Sequence, residues 1–464
     1  MTQFRLKSIS LIAAAAVMAV AAVNVRPQTT PTPDPTPTPA PTATQGVPAV
    51  TTTRYLDQAA GMTADEAVLA ALKNNGELIA LRQERDAARA MVKQAGLRAN
   101  PSVDIGGTRQ VKGMDNSLMV EGMLPLELGG RRAARIRVAE RELEIREKAV
   151  EERERMLAAD VRMKFGESLA AVSKLGFADE ILTAIFEEYR LVQARVAEGK
   201  IAPLEENMTL VEVNRLRAIR EGEAGKAEIA MLELRNLLGL RPEEPLRLRG
   251  DLENLIAALP PVSEMTARAL QTRPDLAAMR AMEELSTAKI DQAKADGRID
   301  ASVRGGYQRM RSGFGLNGLN DAGELMPIEN LMHFFTFGVT LELPVRNRNQ
   351  GMIEAAAADR EAARSRREFG ELVVRREIAA GAARFESSAK AMVIFKFGVR
   401  DQANANLEVI RQTYELGSRS LIDYLIEQRR YIEIENEYID LQMATYLARV
   451  EVMRAANAAE LVKK

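Results

Sequence analysis

The chain has 464 residues, and its 64 Lys and Arg nearly balance its 65 Asp and Glu, which gives a formal net charge of -1. This balance argues against a nucleic-acid-binding protein, because such proteins usually carry a basic excess. The absence of Cys excludes disulfides, thiolate metal sites, Cys nucleophiles and an N-terminal lipid-bearing Cys. With a single His and no nucleophile, base and orienting group in sight, we predict no enzyme activity, catalytic residue, cofactor or metal site.

The N-terminus has the three regions of a secretory signal peptide, which we place at residues 1–22. Basic residues precede an apolar run, Leu11 to Val23, and Ala19-Val20-Ala21 fits the small-residue cleavage pattern. This run is too short to cross a bilayer of about 30 Å as a helix, and none longer follows, so membrane insertion would require closed β-strands. Residues 23–60, rich in Thr and Pro, predict a disordered linker.

The remainder of the chain repeats its features in the same order. Residues 61–260 and 261–457 carry matching motifs such as Leu72–Leu78 and Leu270–Leu276, and residues 458–464 follow as a C-terminal tail. Each repeat is too long for a solenoid unit, so we predict a duplicated domain. The order within each half is helix, strand, strand, very long helix and helix.

Four strands are predicted from alternation of apolar and polar residues, at about 102–111, 118–128, 301–311 and 331–345. Strands of about ten residues with one apolar and one polar face suit a water-filled barrel in a bilayer. A soluble antiparallel sheet with one solvent-exposed face shows the same alternation, so the strands alone do not distinguish it from a barrel.

Two stretches without Pro, Arg131 to Glu198 and Gln350 to Leu416, predict helices of about 100 Å. Helices of this length need lateral partners along their whole extent. The last helix provides two apolar stripes with seven-residue spacing, which predict supercoiled packing on both sides. One stripe runs through Leu425, Ile432, Ile439, Tyr446 and Met453, and the other through Tyr424, Tyr431 and Tyr438. A two-stranded coiled-coil hairpin, which needs one stripe, is the alternative.

Three further signals predict no site. Gly313 to Gly318 fits G-x-G-x-x-G, but no helix follows it, so we interpret it as a loop between strands. His333, the single His, fits an interfacial position beside aromatic residues. The 21 Met residues scatter along the chain and are interpreted as packing residues rather than copper ligands.

The ordered set of elements closely resembles the TolC-like outer-membrane efflux family, over about residues 62–457. The most specific parts of this resemblance are the two turns between long helices, Ala197–Glu205 and Tyr414–Asp423. The strand-to-helix junctions, Pro125–Arg132 and Leu343–Gly351, also resemble the family and look closest to its heavy-metal branch, CzcC- and CusC-like. The resemblance implies a mostly α fold with a small β part. It implies a homotrimer with a twelve-stranded outer-membrane β-barrel, continued by a twelve-helix periplasmic α-barrel, because closure leaves no strand edge in lipid.

The function implied by this resemblance is a passive outer-membrane channel of a tripartite efflux system for small molecules or metal ions. The implied partners are a periplasmic adaptor protein, a proton-driven inner-membrane pump and outer-membrane lipid. Two alternatives stay open: an outer-membrane duct for type I protein secretion, and a periplasmic coiled-coil scaffold without a pore.

The two turns between long helices predict the functional site. Gly199 and Gly417 suit helix ends that pass through a left-handed residue. An acidic residue follows each glycine by six positions, Glu205 and Asp423, and rings of such carboxylates attract cations. The resemblance implies a periplasmic gate made of Glu205, Tyr414, Arg419 and Asp423, in which we expect Arg419 to pair with Glu205.

A solvated surface Arg is the alternative for Arg419. The sequence departs from the family pattern at Leu204, which replaces a small polar residue, and at Ile426, where some members carry an Asp. The resemblance also implies that the turn tips dock the adaptor, through Gly199, Ile201, Pro203, Leu204, Gly417 and Leu421.

Overall fold

The computed structural model of the chain describes residues 51–462. The predicted signal peptide and residues 23–50 of the predicted linker lie outside the described residues. The first half contains α1 (Ala64–Asn74), α2 (Gly76–Ala95), β1 (Ser102–Arg109), β2 (Asn116–Pro125), α3 (Arg131–Ala197) and α4 (Pro203–Leu238). After the short α5 (Leu252–Leu255), the second half contains α6 (Val262–Thr272), α7 (Pro274–Asp296), β3 (Asp300–Leu319), β4 (Leu325–Glu342), α8 (Gln350–Phe395), α9 (Asp401–Glu415) and α10 (Leu421–Ala455).

Both halves contain the same order of helices and strands, and both differ from the prediction at their start. The single first helix is two consecutive helices, which meet at Asn75 in the first half and at Arg273 in the second. The Asn75 side chain caps α2 by accepting a hydrogen bond from the N–H of Leu78. Pro274 occupies the first position of α7, where its missing N–H leaves no intrahelical bond broken.

The long helices α3 and α10 form the centre of the helical part. Leu425 and Ile432 of α10 are buried in one core cluster, and Ile439, Tyr446 and Met453 in another. Helix α10 packs against both α3 and α8, as its two apolar stripes predict. A two-stranded coiled-coil hairpin would need only one such packing partner. Among the residues that the structure describes, no helix is both long and apolar enough to cross a membrane.

The predicted second long helix is interrupted. A π-helical turn, Lys396–Arg400, separates α8 from α9 and widens the helix locally. Two ion pairs hold it to neighbouring elements, Lys396 with Glu253 and Arg400 with Glu435, each at 2.6 Å. The π-helical turn therefore shifts the helical register between α8 and α9, so a regular 3.6-residue spacing does not run through both helices.

The four strands form one antiparallel sheet in chain order. Strand β2 ends three residues earlier than predicted because Glu127 adopts a left-handed conformation, with φ of 49°. Strand β3 continues to Leu319, well beyond the predicted end at 311, and β4 begins at Leu325 and ends at Glu342, both earlier than predicted. A short turn at 320–324 joins them. The interpretation of Gly313 to Gly318 as a loop is therefore wrong, since this segment lies in β3 and contains a bulge between Gly313 and Asn317.

The packed structure begins before residue 61, which corrects the predicted linker boundary. Tyr55 is buried, donates a hydrogen bond to Glu228 over 2.7 Å, and lies beside Leu248, whose N–H binds the Tyr55 carbonyl. The C-terminal tail also packs on the core: Leu461 is buried, and its carbonyl accepts a hydrogen bond from Arg162.

Candidate functional site at the helix turns

The two turns have the same backbone geometry. In the first, the N–H of Gly199 binds the carbonyl of Val196 and the next N–H binds that of Arg195, both at 2.9 Å. The second turn repeats this pair of bonds around Gly417. Both glycines are left-handed, with φ of 71° and 75°, so each helix ends in a Schellman motif. The predicted reason for glycine at these positions is confirmed.

Asp423 takes part in the N-terminal cap of α10. Its carboxylate accepts hydrogen bonds from the Ser420 hydroxyl, at 2.9 Å, and from the Ser420 N–H, while Asp423 N–H binds the hydroxyl in return. This capping box closes the first turn of α10. The bonds from Ser420 lower the pKa of Asp423, which keeps its carboxylate charged.

Tyr414 is buried at the base of the second turn. Its ring stacks on Tyr424, with centroids 5.7 Å apart and an angle of 4° between the planes. Burial, reinforced by the charges of Glu188 and Glu205, raises the pKa of Tyr414 to about 12. Burial also raises the pKa of Glu188, which the sequence did not single out. The turn region therefore holds half-buried carboxylates close to a neutral tyrosine pair.

Arg419 and Glu205 do not meet within one chain. Arg419 is exposed, and among the residues that the structure describes it forms no ion pair, although its charge helps to lower the pKa of Asp423. Glu205 is half-buried in the first turn of α4. Their pairing stays a prediction, and it now requires contact between protomers.

The residues predicted for adaptor docking divide into two groups. Leu204 is 65% exposed, and Pro203 is exposed beside it. Leu421, in contrast, is 4% exposed, because it is buried in a core cluster with Tyr414 and Tyr424 and cannot offer an apolar contact to a partner. The sequence analysis missed Leu416, which is 81% exposed in the second turn.

A buried ion cluster lies above the turns and joins the two halves. Glu212 of α4 is fully buried and binds Arg215 of its own helix and Arg429 of α10, at 2.5 and 2.6 Å. Burial alone would raise the pKa of Glu212, but the two guanidinium groups outweigh it and lower the pKa. Only the removal of both guanidinium groups would leave the buried Glu212 charge without a partner in this cluster.

At the other end of the molecule, the sheet exposes one apolar face. Registered rows across the strands place Ile105, Val120, Tyr307 and Phe335 on this face, and Phe337 and Val339 follow on β4. Phe337 is 91% exposed. His333 lies on the same face and shares a 2.5 Å hydrogen bond with the Tyr307 hydroxyl, beside aromatic residues as predicted. Among residues 51–462, no group of His, Cys, Asp and Glu is arranged to hold a metal ion.

The duplicated helical hairpins with matching turns and the sheet with one exposed apolar face together define an outer-membrane channel of the efflux class. The chain belongs to the outer membrane efflux protein family, whose sequence profile matches residues 68–240 and 266–458. It is an outer-membrane protein with a helical periplasmic part, as members of this family are.

Individual relatives come from heavy-metal resistance. The chain is 24% identical, over 86% of its length and 90% of the relative's, to the cobalt-zinc-cadmium resistance protein CzcC of Cupriavidus metallidurans. It is 26% identical to the nickel-cobalt-cadmium resistance protein NccC of Alcaligenes xylosoxydans xylosoxydans, over 52% of the chain and 50% of that protein. The crystal structure of CusC superposes with a TM-score of 0.68 at 18% identity, covering 85% of this chain and 91% of CusC, which supports the fold.

Proposed function

We propose that this protein is the passive, trimeric outer-membrane duct of a tripartite system that exports metal ions. The observation that carries the proposal is the open sheet: within the described residues, β1 pairs only with β2 and β4 only with β3. Unpaired strand edges are not tolerated in lipid. Three copies of the four strands close into a twelve-stranded barrel without edges.

The two faces of the sheet fit this barrel. The exposed apolar face, with Phe337 at its centre, contacts lipid. The opposite face, which carries Asp104, Glu121 and Thr336 in one registered row, lines a water-filled lumen. The long helices of three chains then continue the lumen through the periplasm, and the channel itself supplies no energy.

The cargo and partners follow from the relatives. CzcC and NccC are named for resistance to cobalt, zinc, cadmium and nickel, so metal ions are the cargo that we propose. A proton-driven inner-membrane pump delivers them through a periplasmic adaptor. The adaptor contacts the turn tips, where Ile201, Pro203, Leu204 and Leu416 surround the left-handed glycines.

The resting gate lies at the same turns. Arg419 of one protomer pairs with Glu205 of the next, since Arg419 is exposed, Glu205 is half-buried, and neither forms an ion pair within residues 51–462. Tyr414 holds the turn in place through its stack on Tyr424. Asp423 contributes charge at the pore end while it caps α10.

A growth-inhibition panel tests the function. A strain that lacks this protein is exposed to divalent metal ions, silver, dyes, detergents and antibiotics, with and without the wild-type gene. We expect sensitivity to metal ions alone, reversed by the gene. Sensitivity to dyes and antibiotics would overturn the metal cargo in favour of a multidrug duct, and no change at all would favour protein secretion. Conductance of the purified protein in a planar bilayer separates these ducts from a scaffold without a pore.

A further inference from the structure

The apolar face of the sheet is followed by a basic segment where β4 leads into α8. Leu341 lies on this face near the end of β4, and Leu343 and Val345 follow it at steps of two; each is more than half exposed. Arg346 and Arg348 come next, and both are exposed. A change from apolar residues to arginines is typical of a membrane protein at the level of the lipid headgroups.

Four short segments join the helices to the sheet, and they carry more basic than acidic residues. These segments are residues 96–101, 126–130, 297–299 and 343–349. Their one acidic residue, Glu127, is paired with Arg135 at 2.6 Å. Among the residues that the structure describes, no ion pair involves the arginines of these segments, Arg98, Arg298, Arg346 and Arg348.

One open cavity of about 750 Å³ lies between the end of α7 and the start of α8, and Arg298 and Arg346 both line it. Arg131 lines it as well, but this guanidinium group is neutralised by Asp300 at 2.8 Å. Arg131 also donates to the carbonyl oxygen of Arg298 over 3.1 Å, which fixes the backbone of this segment. Arg298 itself donates to the carbonyl of Gly129 through one nitrogen, so its other donors face the cavity or solvent.

Arg348 lies against the same segment. A Cβ added to Gly297 would clash with the carbonyl oxygen of Arg348, so the backbones of the two connections are in direct contact. Two acidic residues, Asp296 and Glu342, also line the cavity, and neither forms an ion pair within residues 51–462. Arg298, Arg346 and Arg348 therefore outnumber the carboxylates around them.

We propose that Arg298, Arg346 and Arg348 bind the phosphate of an anionic glycerophospholipid in the periplasmic leaflet of the outer membrane. The exposed side chains of Leu343 and Val345 contact the upper part of its acyl chains. A guanidinium group suits phosphate because its fork binds two oxygens at once, and basic pockets at a membrane surface attract phospholipid headgroups. The inference rests on the proposed insertion of the apolar face in lipid, and it adds a lipid class and a binding site.

Thermal unfolding of the purified full-length protein in detergent tests the site, because a ligand that binds only the folded state raises the midpoint. Three additions are compared at equal phosphate concentration: phosphatidylglycerol, phosphatidylcholine and inorganic phosphate. The test variant carries three substitutions, Arg298→Gln, Arg346→Gln and Arg348→Gln, and a second variant carries Lys at the same positions. The matched control loses the same charge from exposed positions of α8 that form no ion pair within the described residues, Arg366→Gln, Arg375→Gln and Arg376→Gln.

We expect phosphatidylglycerol to raise the midpoint of the wild type and of the control by several degrees, and that of the Gln variant by less than half as much. The Lys variant keeps the charge but loses the bidentate geometry, so its rise should lie between the two. A full rise in the Gln variant would overturn the site. An equal rise of the wild type with phosphatidylcholine or with inorganic phosphate would overturn the anionic lipid as its ligand.

Conductance in planar bilayers is recorded on the same preparations, so that the two proposals can fail separately. A conducting channel without a specific effect of phosphatidylglycerol removes this inference alone. A specific effect of the lipid on a protein that does not conduct removes the proposed duct.

Discussion

At the scale of single residues, the gate depends on Arg419, which has no ion-pair partner within the described part of its own chain. Its guanidinium group can bind a carboxylate through two parallel hydrogen bonds, which a Lys cannot reproduce. Glu205 is the partner that we propose from the neighbouring protomer. A single charge reversal should therefore open the turn end, and reversal of both charges should close it again.

We expect Arg419→Glu to raise the resting conductance of the channel in planar bilayers several-fold, because like charges then face each other. The double variant Arg419→Glu with Glu205→Arg should return conductance close to the wild-type value. Arg190→Glu, at an exposed position on α3 near the turn, is the control and should change little. Unchanged conductance in Arg419→Glu, or no recovery in the double variant, contradicts the pairing.

The residue-level predictions from sequence succeeded where backbone geometry decided the residue type. Gly199 and Gly417 had to be left-handed, and both are. Leu421 shows where such reasoning ends: an apolar residue at the start of a helix can face a partner or the core. Its inward direction is set by tertiary packing, because Leu421 belongs to a buried core cluster whose members include residues of α3 and α4 that are distant in sequence.

At the scale of elements, the two halves use the same connections with different chemistry. The side chains of Asn75 and Arg273 each donate a hydrogen bond to a backbone carbonyl in the last turn of another helix. Asn75 binds the carbonyl of Leu237 in α4, and Arg273 binds that of Ala455 in α10. Just beyond those helix ends, Gly239 and Asn457 are both left-handed, with φ of 71° and 49°. The duplication thus preserves geometry while the side chains that satisfy it diverge.

Gly239 should tolerate no side chain. A Cβ there would lie 2.5 Å from the carbonyl oxygen of Asn74, and the left-handed conformation adds about 1–3 kcal/mol of strain. We expect Gly239→Ala to lower the thermal midpoint of the purified protein by several degrees. Gly222→Ala, inside α4 with open space around its Cβ, should instead stabilise by about 0.5–1 kcal/mol. Equal midpoints for the two variants would contradict this reasoning.

Two elements escaped prediction for physical reasons. The π-helical turn at Lys396–Arg400 contains no Pro, and its ion pairs are with Glu253 and Glu435, which lie in other elements, so the local sequence does not indicate it. The extension of β3 through Gly313–Gly318 is rich in Gly, a residue that usually weakens strands. It persists because β4 offers a paired backbone opposite, which periodicity within one segment does not reveal.

At the scale of the whole molecule, the apolar face of the sheet is exposed in the single chain and needs an apolar environment to shield it from water. Phe337 stands over two glycines, since Gly305 and then Gly122 lie opposite it in the neighbouring strands. Its ring therefore projects from a flat backbone surface and is almost entirely exposed. In the proposed trimer, this position lies within the lipid-facing band.

Adjacent residues of β4 offer a direct comparison of the two faces. Phe337→Arg places a charge in lipid, at an expected loss of about 2–4 kcal/mol near the bilayer centre. Thr336→Arg introduces the same side chain one residue earlier, but toward water, because successive side chains alternate between faces. We expect Phe337→Arg to reduce sharply the amount of trimer recovered from the outer-membrane fraction, and Thr336→Arg to leave it near wild type. Equal loss in both variants would mean that Phe337 does not face lipid, and a greater loss in Thr336→Arg would reverse the assignment of the two faces.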